Sequence, residues 1–451
     1  MIGRGVLLPA AFLAINLGQV VPAFAQSNPE AERANQVFDG AYEGADDQDD
    51  DPTDIETDLD ESFAKPGAIF PNVTLPGRLQ YEAFKERLWE NYGLRFAFSY
   101  QQLSQYASAR LPFATSDVAL GGWGAAELFW TPIDRGGDFE GGVGFSYAYR
   151  GQISGDPVPA VFGATVLGSI WSNYEWTSWD NGARVENLFW EQWITRSFNF
   201  RVGNQGAQAV YNFSRFKDAR TSFTASPFAF QEQIPYPTFG FGIATTWRPN
   251  QTTGPYVVGT INDMNGDPAA LGLNWNTFFD ERQYFYGAEF GYRWTRPNGE
   301  FDHIHIDLFY ADERITRDPN VLPNEAGGGF RIYGEKQMGN VVAFAGFTHN
   351  TARGGGISTT FAENTLTGGL AYLNPFGIRG EAAFGAVWSE PLEDLFPGFE
   401  ARDQYGFDAY WRIQLTPNST VTPGLQVVFD PSFNPAEDVI VIPAFKFRVN
   451  L

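Results

Sequence analysis

From Leu94 to the carboxyl end, apolar and polar side chains alternate with a period of two. Leu94, Phe96, Phe98 and Tyr100 alternate with Arg95, Ala97, Ser99 and Gln101. Ile304, Ile306, Leu308 and Tyr310 oppose His303, His305, Asp307 and Phe309, and Tyr405, Phe407, Ala409, Trp411, Ile413 and Leu415 oppose Gly406, Asp408, Tyr410, Arg412 and Gln414. Period-two strands of this kind separate hydrocarbon on one face from water on the other. Between them, short turns rich in Pro, Asn and Gly, such as Asn374-Pro375-Phe376-Gly377 and Thr416-Pro417-Asn418-Ser419, take turns with long polar stretches such as Asp312 to Gly327. Bacterial barrels with both termini on one side have an even number of strands. Val166 to Trp176 lacks clean alternation and falls out of order, so it is assigned to the second outer loop. The pattern then predicts an all-β fold, a 16-stranded antiparallel transmembrane β-barrel, with strands starting near residues 94, 118, 139, 184, 198, 239, 255, 283, 303, 329, 340, 364, 378, 405, 421 and 439. A barrel of that size is wide enough for an aqueous channel.

Upstream of Leu94 the period changes to that of a helix. Tyr81, Phe84, Leu88, Trp89 and Tyr92 recur at helical spacing between Pro76 and Gly93, and Gly93 supplies a stop. The stripe is too short and too charged to span lipid, so a short N-terminal helix is expected at the mouth of the barrel or inside it. Further upstream, Arg4, an apolar run from Val6 to about Leu17 and Ala23-Phe24-Ala25 have the layout of a signal peptide, 1–25, with the mature chain starting near Gln26. Residues 26–64 hold fourteen acidic side chains and one Arg, Arg33, with few large apolar groups. Such a segment cannot bury enough surface to order itself and is expected to be a solvated tail. The domain division is therefore 1–25, 26–64, 65–93 with the helix, and 94–451 as the barrel.

Composition supports lipid exposure: 42 Phe, 19 Tyr and 13 Trp stand beside 49 Gly. In a barrel the aromatic groups face lipid, and Gly fits crowded positions. The absence of Cys excludes disulfides and thiolate metal sites, and the net charge of −23 argues against nucleic acid as a partner. His303, His305 and Asp307 share an inward face, and His-x-His-x-Asp is similar to the metal-ligand run of metallo-hydrolases. Leu308 stands where that motif has a further His, and a single strand cannot surround a metal tetrahedrally. No Gly-x-Ser-x-Gly elbow occurs, so neither an enzyme nor a cofactor or metal is expected.

The final strand alternates to the last residue, with Val441, Pro443, Phe445, Phe447, Val449 and Leu451 on one face. This resembles the terminal signal read by the barrel assembly machinery, although Leu451 stands where an aromatic residue is commoner. From about Leu79 onward the chain resembles the carbohydrate-selective porins. The resemblance rests on Glu186-Asn187-Leu188-Phe189-Trp190-Glu191-Gln192 running into Phe200-Arg201-Val202-Gly203, on the loop after Gly203, and on Gln414-Leu415-Thr416-Pro417, Val421-Thr422-Pro423-Gly424-Leu425-Gln426 and Asp430-Pro431.

That resemblance implies an outer-membrane location and a third outer loop folded inward, here Asn204 to Pro237. Arg215, Lys217, Asp218 and Arg220 are the residues expected at the constriction. On the facing wall the alternation offers Arg95, Glu127, Arg201, Glu289, Arg293, Arg379 and Glu381, with Trp123, Phe285, Tyr333 and Tyr410 as inward aromatic faces. Sugar hydroxyls donate and accept hydrogen bonds, so carboxylates and forked Arg donors side by side suit them. The expected partners are small sugars, outer-membrane lipid and the assembly machinery, with a homo-oligomer compatible. The alternative is a general or ion-selective diffusion porin without sugar preference.

Overall fold

The computed structural model describes Ile55, Leu59, Ser62 and Phe63, and residues 65–451 except 156–157, 172–181, 230–233, 238, 251, 267–272, 274, 297–300, 315–324, 354–360 and 393–400. The expected signal peptide and most of the acidic segment lie outside the described residues.

Among the described residues there are sixteen strands: β1 (Leu94–Tyr106), β2 (Val118–Ile133), β3 (Gly141–Gly155), β4 (Gly182–Thr195), β5 (Phe198–Gln205), β6 (Gly240–Trp247), β7 (Gly254–Asp263), β8 (Tyr284–Thr295), β9 (Phe301–Ala311), β10 (Gly327–Met338), β11 (Val341–Asn350), β12 (Ala362–Leu373), β13 (Gly380–Pro391), β14 (Gln404–Thr416), β15 (Ser419–Phe429) and β16 (Val439–Asn450). Each starts within two residues of the position expected from alternation. Every strand pairs antiparallel with its neighbours in the chain, and β1 closes the barrel on β16. That seam runs from Ser99 opposite Asn450 to Gln105 opposite Ala444, so no edge of the sheet is left open.

The two faces of each strand match the sequence parity. Ile304, Leu308 and Tyr310 on β9 are 50%, 46% and 46% exposed, whereas His303, His305 and Asp307 are buried toward the lumen. On β16, Phe445 faces out while Lys446 and Arg448 are buried inside. Short turns close one end of the barrel. At Asn374 to Gly377 the chain reverses with Asn374 and Phe376 both at positive φ, 52° and 57°. The longer connections gather at the other end. Val166 to Trp176, kept out of the strand count, falls in the connection between β3 and β4; its described part, 166–171, follows a short helix, α2 (Pro159–Phe162), and includes the end of a π turn, while 172–176 lie outside the described residues.

A helix, α1 (Arg78–Tyr92), precedes β1 at the short-turn end. Gly93, at φ 66°, ends it by donating to the Leu88 and Trp89 carbonyls. Its packing differs from the expected aromatic stripe. Glu82 and Lys85 are its buried residues, whereas Phe84 and Tyr92 are 45% and 68% exposed. The cause is its place on the rim. One flank meets the outward ring of Phe96 through Tyr81 and Phe84, at 5.9 and 6.2 Å between centroids. The other sends Lys85 to the Ser62 hydroxyl and over the Phe63 ring, and sets Trp89 under inward-facing Arg95. A helix straddling water, lumen and bilayer surface has no single apolar side to bury.

Two outcomes test this register. Phe407 faces outward between the rings of Phe384 and Phe429, so Phe407→Arg is expected to lower barrel stability by about 2–4 kcal/mol if it sits near the bilayer midplane, measured by urea unfolding in lipid vesicles. Deletion from Val439 onward removes the partner of both β1 and β15. It should yield a protease-sensitive product that fails to insert, as fractionation and proteolysis would report.

Candidate functional site: the lumen and its inward loop

The connection 206–239 between β5 and β6, here L3, turns back into the barrel. Gly203 lies near the end of β5, opposite Phe189 of β4. It has φ 141°, and a Cβ there would meet Leu188 O at 2.4 Å and the Phe189 Cα at 2.6 Å. Tyr211, Phe216, Phe223 and Phe228 of L3 are all buried. Phe223 lies at the centre of an aromatic cluster, with ring centroids 4.6 Å from Phe228, 4.9 Å from Tyr410 and 5.5 Å from Phe216. Space for these rings comes from bare backbone on the wall. A Cβ at Gly385 would stand 2.6 Å from the Phe228 ring.

Polar staples tie L3 to both sides of the lumen. On one side Glu289 accepts from the Asn212 amide at 2.6 Å and Glu335 accepts from the Ser214 hydroxyl and the Arg215 amide at 2.9 and 3.0 Å. Arg331 donates to the Asn212 side chain, and the Tyr211 hydroxyl donates to Leu308 O at 3.0 Å. On the other side Asp408 accepts from the Thr224 and Ala225 amides at 2.7 and 2.8 Å. Lys446 donates to the carbonyls of Ala219, Ser222 and Phe223. Charged hydrogen bonds in a buried setting are the stronger kind, and those of Glu289, Glu335, Asp408 and Lys446 satisfy backbone groups of the loop.

The four expected constriction residues divide by role. Arg215 keeps a side chain 23% exposed, 3.7 Å from Glu335. Lys217 is fully buried and turns back to the Gln208 and Tyr211 carbonyls, stiffening the loop itself. Asp218 binds Arg220 at 2.8 Å and lies 3.8 Å from Arg448 on the wall. Arg220 also stacks over Trp123, 5.0 Å from the ring centre.

Of the wall residues expected from parity, Glu127, Arg201, Glu289, Arg293 and Glu381 are buried on the inner face, Arg95 is half-buried, and Arg379 precedes β13 and is exposed at the short-turn end. Glu289 belongs to the loop staples, and Glu381 accepts from the Tyr410 hydroxyl. Arg201 forms a two-pronged pair with Glu191, at 2.6 and 2.5 Å, above the Phe189 ring. The inward aromatics Phe285 and Tyr410 carry Tyr211 and Phe223 of L3 against them.

Several participants have no marker in the sequence. Arg150 on β3 and Arg184 on β4 both bind Glu186, at 2.5 and 3.1 Å. A bulge makes this possible: Ser146 opposes Asn187 while Tyr147 opposes Val185, leaving Glu186 outside the ladder. The connection between β3 and β4 also enters the lumen, where Phe162, Val166, Leu167, Ile170 and Trp171 join the same apolar cluster as Phe223. Trp171 donates to the Ser389 hydroxyl at 2.8 Å and lies against Gly406, where a Cβ would stand 2.7 Å from its ring. At the opposite end Ile55 and Leu59, two described residues of the segment expected to be a solvated tail, are instead buried against Ala97, Phe129 and Phe189.

Glu289, His305 and Asp307 form a group with metal-binding atom types. The imidazole lies between the carboxylates, with Nδ1 3.3 Å from Glu289 and Nε2 3.2 Å from Asp307. The two ring nitrogens face different carboxylates, so the imidazole bridges Glu289 and Asp307.

No protein-family model matches the chain, and no curated protein does. Among solved structures, the high-pH form of OprB from Pseudomonas putida matches 82% of this chain and 97% of its own at 14% identity, with a TM-score of 0.62. A porin mutant from Rhodobacter blastica matches 79% of this chain and all of its own at 14% identity, with a TM-score of 0.43. The first likeness shows that the chain has a porin fold.

The staples predict that Asp408→Ala, by stranding two buried loop amides at about 1–3 kcal/mol each, loosens L3 and raises single-channel conductance and its noise. Heat-modifiable migration on gels should stay that of a closed barrel. A quiet channel of unchanged conductance would mean that Asp408 does not hold the loop.

Proposed function

We propose that this chain is an outer-membrane porin, not an enzyme, and that small carbohydrates diffuse through its lumen. The observation that carries the reading is L3, seated across the lumen and stapled to opposite walls by Glu289, Glu335, Asp408 and Lys446. A loop held this way narrows a wide barrel to a polar passage without closing chemistry around a reactive centre. The lumen surface supports sugars as solutes. Arg201 with Glu191, Arg150 and Arg184 with Glu186, and Arg220 with Asp218 set forked donors beside carboxylate acceptors. Neutral polyols need both within one contact. The proposal includes export by the 1–25 leader, insertion by the barrel assembly machinery, and a chain divided at about residues 25, 64 and 93 as the sequence indicates.

The test is planar-bilayer conductance of the purified barrel, titrated with mono- and disaccharides. Sugar-dependent block of ion current is the expected result. Permeation graded by size alone would identify the general diffusion porin instead. Within the same experiment, Arg215→Ala combined with Arg220→Ala should weaken sugar block and move ion preference toward cations, because cationic rings favour anions. Lys336→Ala, on the outward face, should change neither.

A further inference from the structure

Two of the three histidines in the chain sit at the root of L3. His303 and His305 are neighbours on the inner face of β9, both buried, with their rings stacked 5.1 Å apart at 14°. His305 stands between two carboxylates. Its Nδ1 is 3.3 Å from Glu289 on β8, and its Nε2 is 3.2 Å from Asp307 on its own strand. Glu289 is also a residue that holds L3. One of its oxygens accepts from the Asn212 and Phe213 amides at 2.6 and 3.3 Å. The other, which faces His305, accepts from the Tyr256 hydroxyl of β7 at 2.5 Å. Phe213 is seated twice, because its ring meets the His303 ring edge-on at 4.9 Å.

Counting donors and acceptors decides what the His305 ring has to carry. A carboxylate only accepts, a neutral imidazole has one N–H, and an imidazolium has two. With a carboxylate on each nitrogen, the imidazolium is the form that serves both. The other charged groups around it come from every neighbouring element. Arg331 of β10 stands opposite Asp307, and Glu335 of the same strand and Arg293 of β8 stand opposite His303. From L3, Arg215 lies 3.7 Å from Glu335. Among the phenols, Tyr333 covers the His305 ring at 5.6 Å, Tyr236 accepts from the Asn212 side chain at 2.7 Å, and Tyr211 donates to Leu308 O.

We propose that His305 is a positioning residue for the constriction loop: a doubly donating imidazolium that aligns Glu289 for the amides of Asn212 and Phe213, so that seating of L3 depends on the proton it carries. This deepens the diffusion-channel reading and rests on it for the role of L3 as the constriction. Removing one proton from the ring leaves a bare nitrogen against a buried carboxylate, and a buried charge that loses its partner is costly to keep. The loop is therefore seated while the ring holds both protons, and it loosens as pH rises through the titration of the ring.

The experiment records single-channel conductance of the full mature chain in planar bilayers from about pH 5 to about pH 9, the range in which imidazoles titrate. Ring-nitrogen NMR of the same protein, labelled at histidine and folded in detergent, accompanies it. Conductance and its noise should step up on the alkaline side. The His305 ring should read as protonated on both nitrogens below the step and on one above it. His349→Gln, which removes the outward histidine of β11, should keep the step. In His305→Gln the step should vanish and conductance stay at the high level throughout. Asp307→Asn takes away one of the two anions and should move the step toward acid by about one pH unit or more. Heat-modifiable migration on gels reports a closed barrel in each variant. A wild-type channel without a step, a step that survives in His305→Gln, or one that stays in place in Asp307→Asn overturns the proposal. So does a His305 ring that is singly protonated across the whole range. A barrel that conducts nothing overturns the porin reading, while the ring-nitrogen signals still decide whether the imidazole carries both protons.

Discussion

In hydrocarbon, a backbone amide without an acceptor costs several kcal/mol, and everything else in this molecule follows from meeting that demand. The seam between β1 and β16 meets it at the last open edge, from Ser99 and Asn450 to Gln105 and Ala444. Once the cylinder is closed, each strand has one face committed to lipid and one released from it. Ile304, Ile306 and Leu308 can then be as apolar as lipid requires while His303, His305 and Asp307, one residue away, are charged or polar. The alternation is a consequence of closure, and it gives the lumen its own chemistry.

That freedom creates a second demand, because a lumen this wide has to be filled or narrowed. L3 and the β3–β4 connection do so with aromatic rings against small wall residues and with charged staples at the backbone. Charged groups of the loop sit in pairs or networks with the wall: Asp218 between Arg220 and Arg448, and Glu335 beside Arg215. Buried charges held this way contribute little net stability compared with apolar packing, but breaking one partner is costly. The arrangement therefore specifies a single loop position more than it adds strength.

The short-turn end uses different material. The N-terminal strap brings Lys65 beside Arg379, Arg412 and Arg448, while Ile55 and Leu59 seat a neighbouring stretch of the same chain on Ala97, Phe129 and Phe189. Arg448 links the two regions, because Asp218 of L3 stands 3.8 Å from it. The strands supplying Arg412 and Arg448 also supply Asp408 and Lys446, which hold L3.

Local order was legible from the chain alone because a strand in a barrel has only one degree of freedom, its parity, and lipid writes that parity into every second residue. Strand starts and the inward faces of Glu127, Arg201 and Glu289 agree with the structure on that basis, whereas the inward turn of L3 came from the resemblance and not from parity. Parity says which way a side chain points and nothing about what it meets. The pairing of Glu186 with Arg150 and Arg184 depends on a bulge that shifts one register, and the seating of Trp171 on Gly406 joins residues far apart in the chain. The same holds for Lys217, which points into its own loop, and for α1, whose buried groups are Glu82 and Lys85 because a rim offers three environments at once. Periodic residues carry their environment in the sequence. Loops and rims, which have no period, take theirs from the closed barrel.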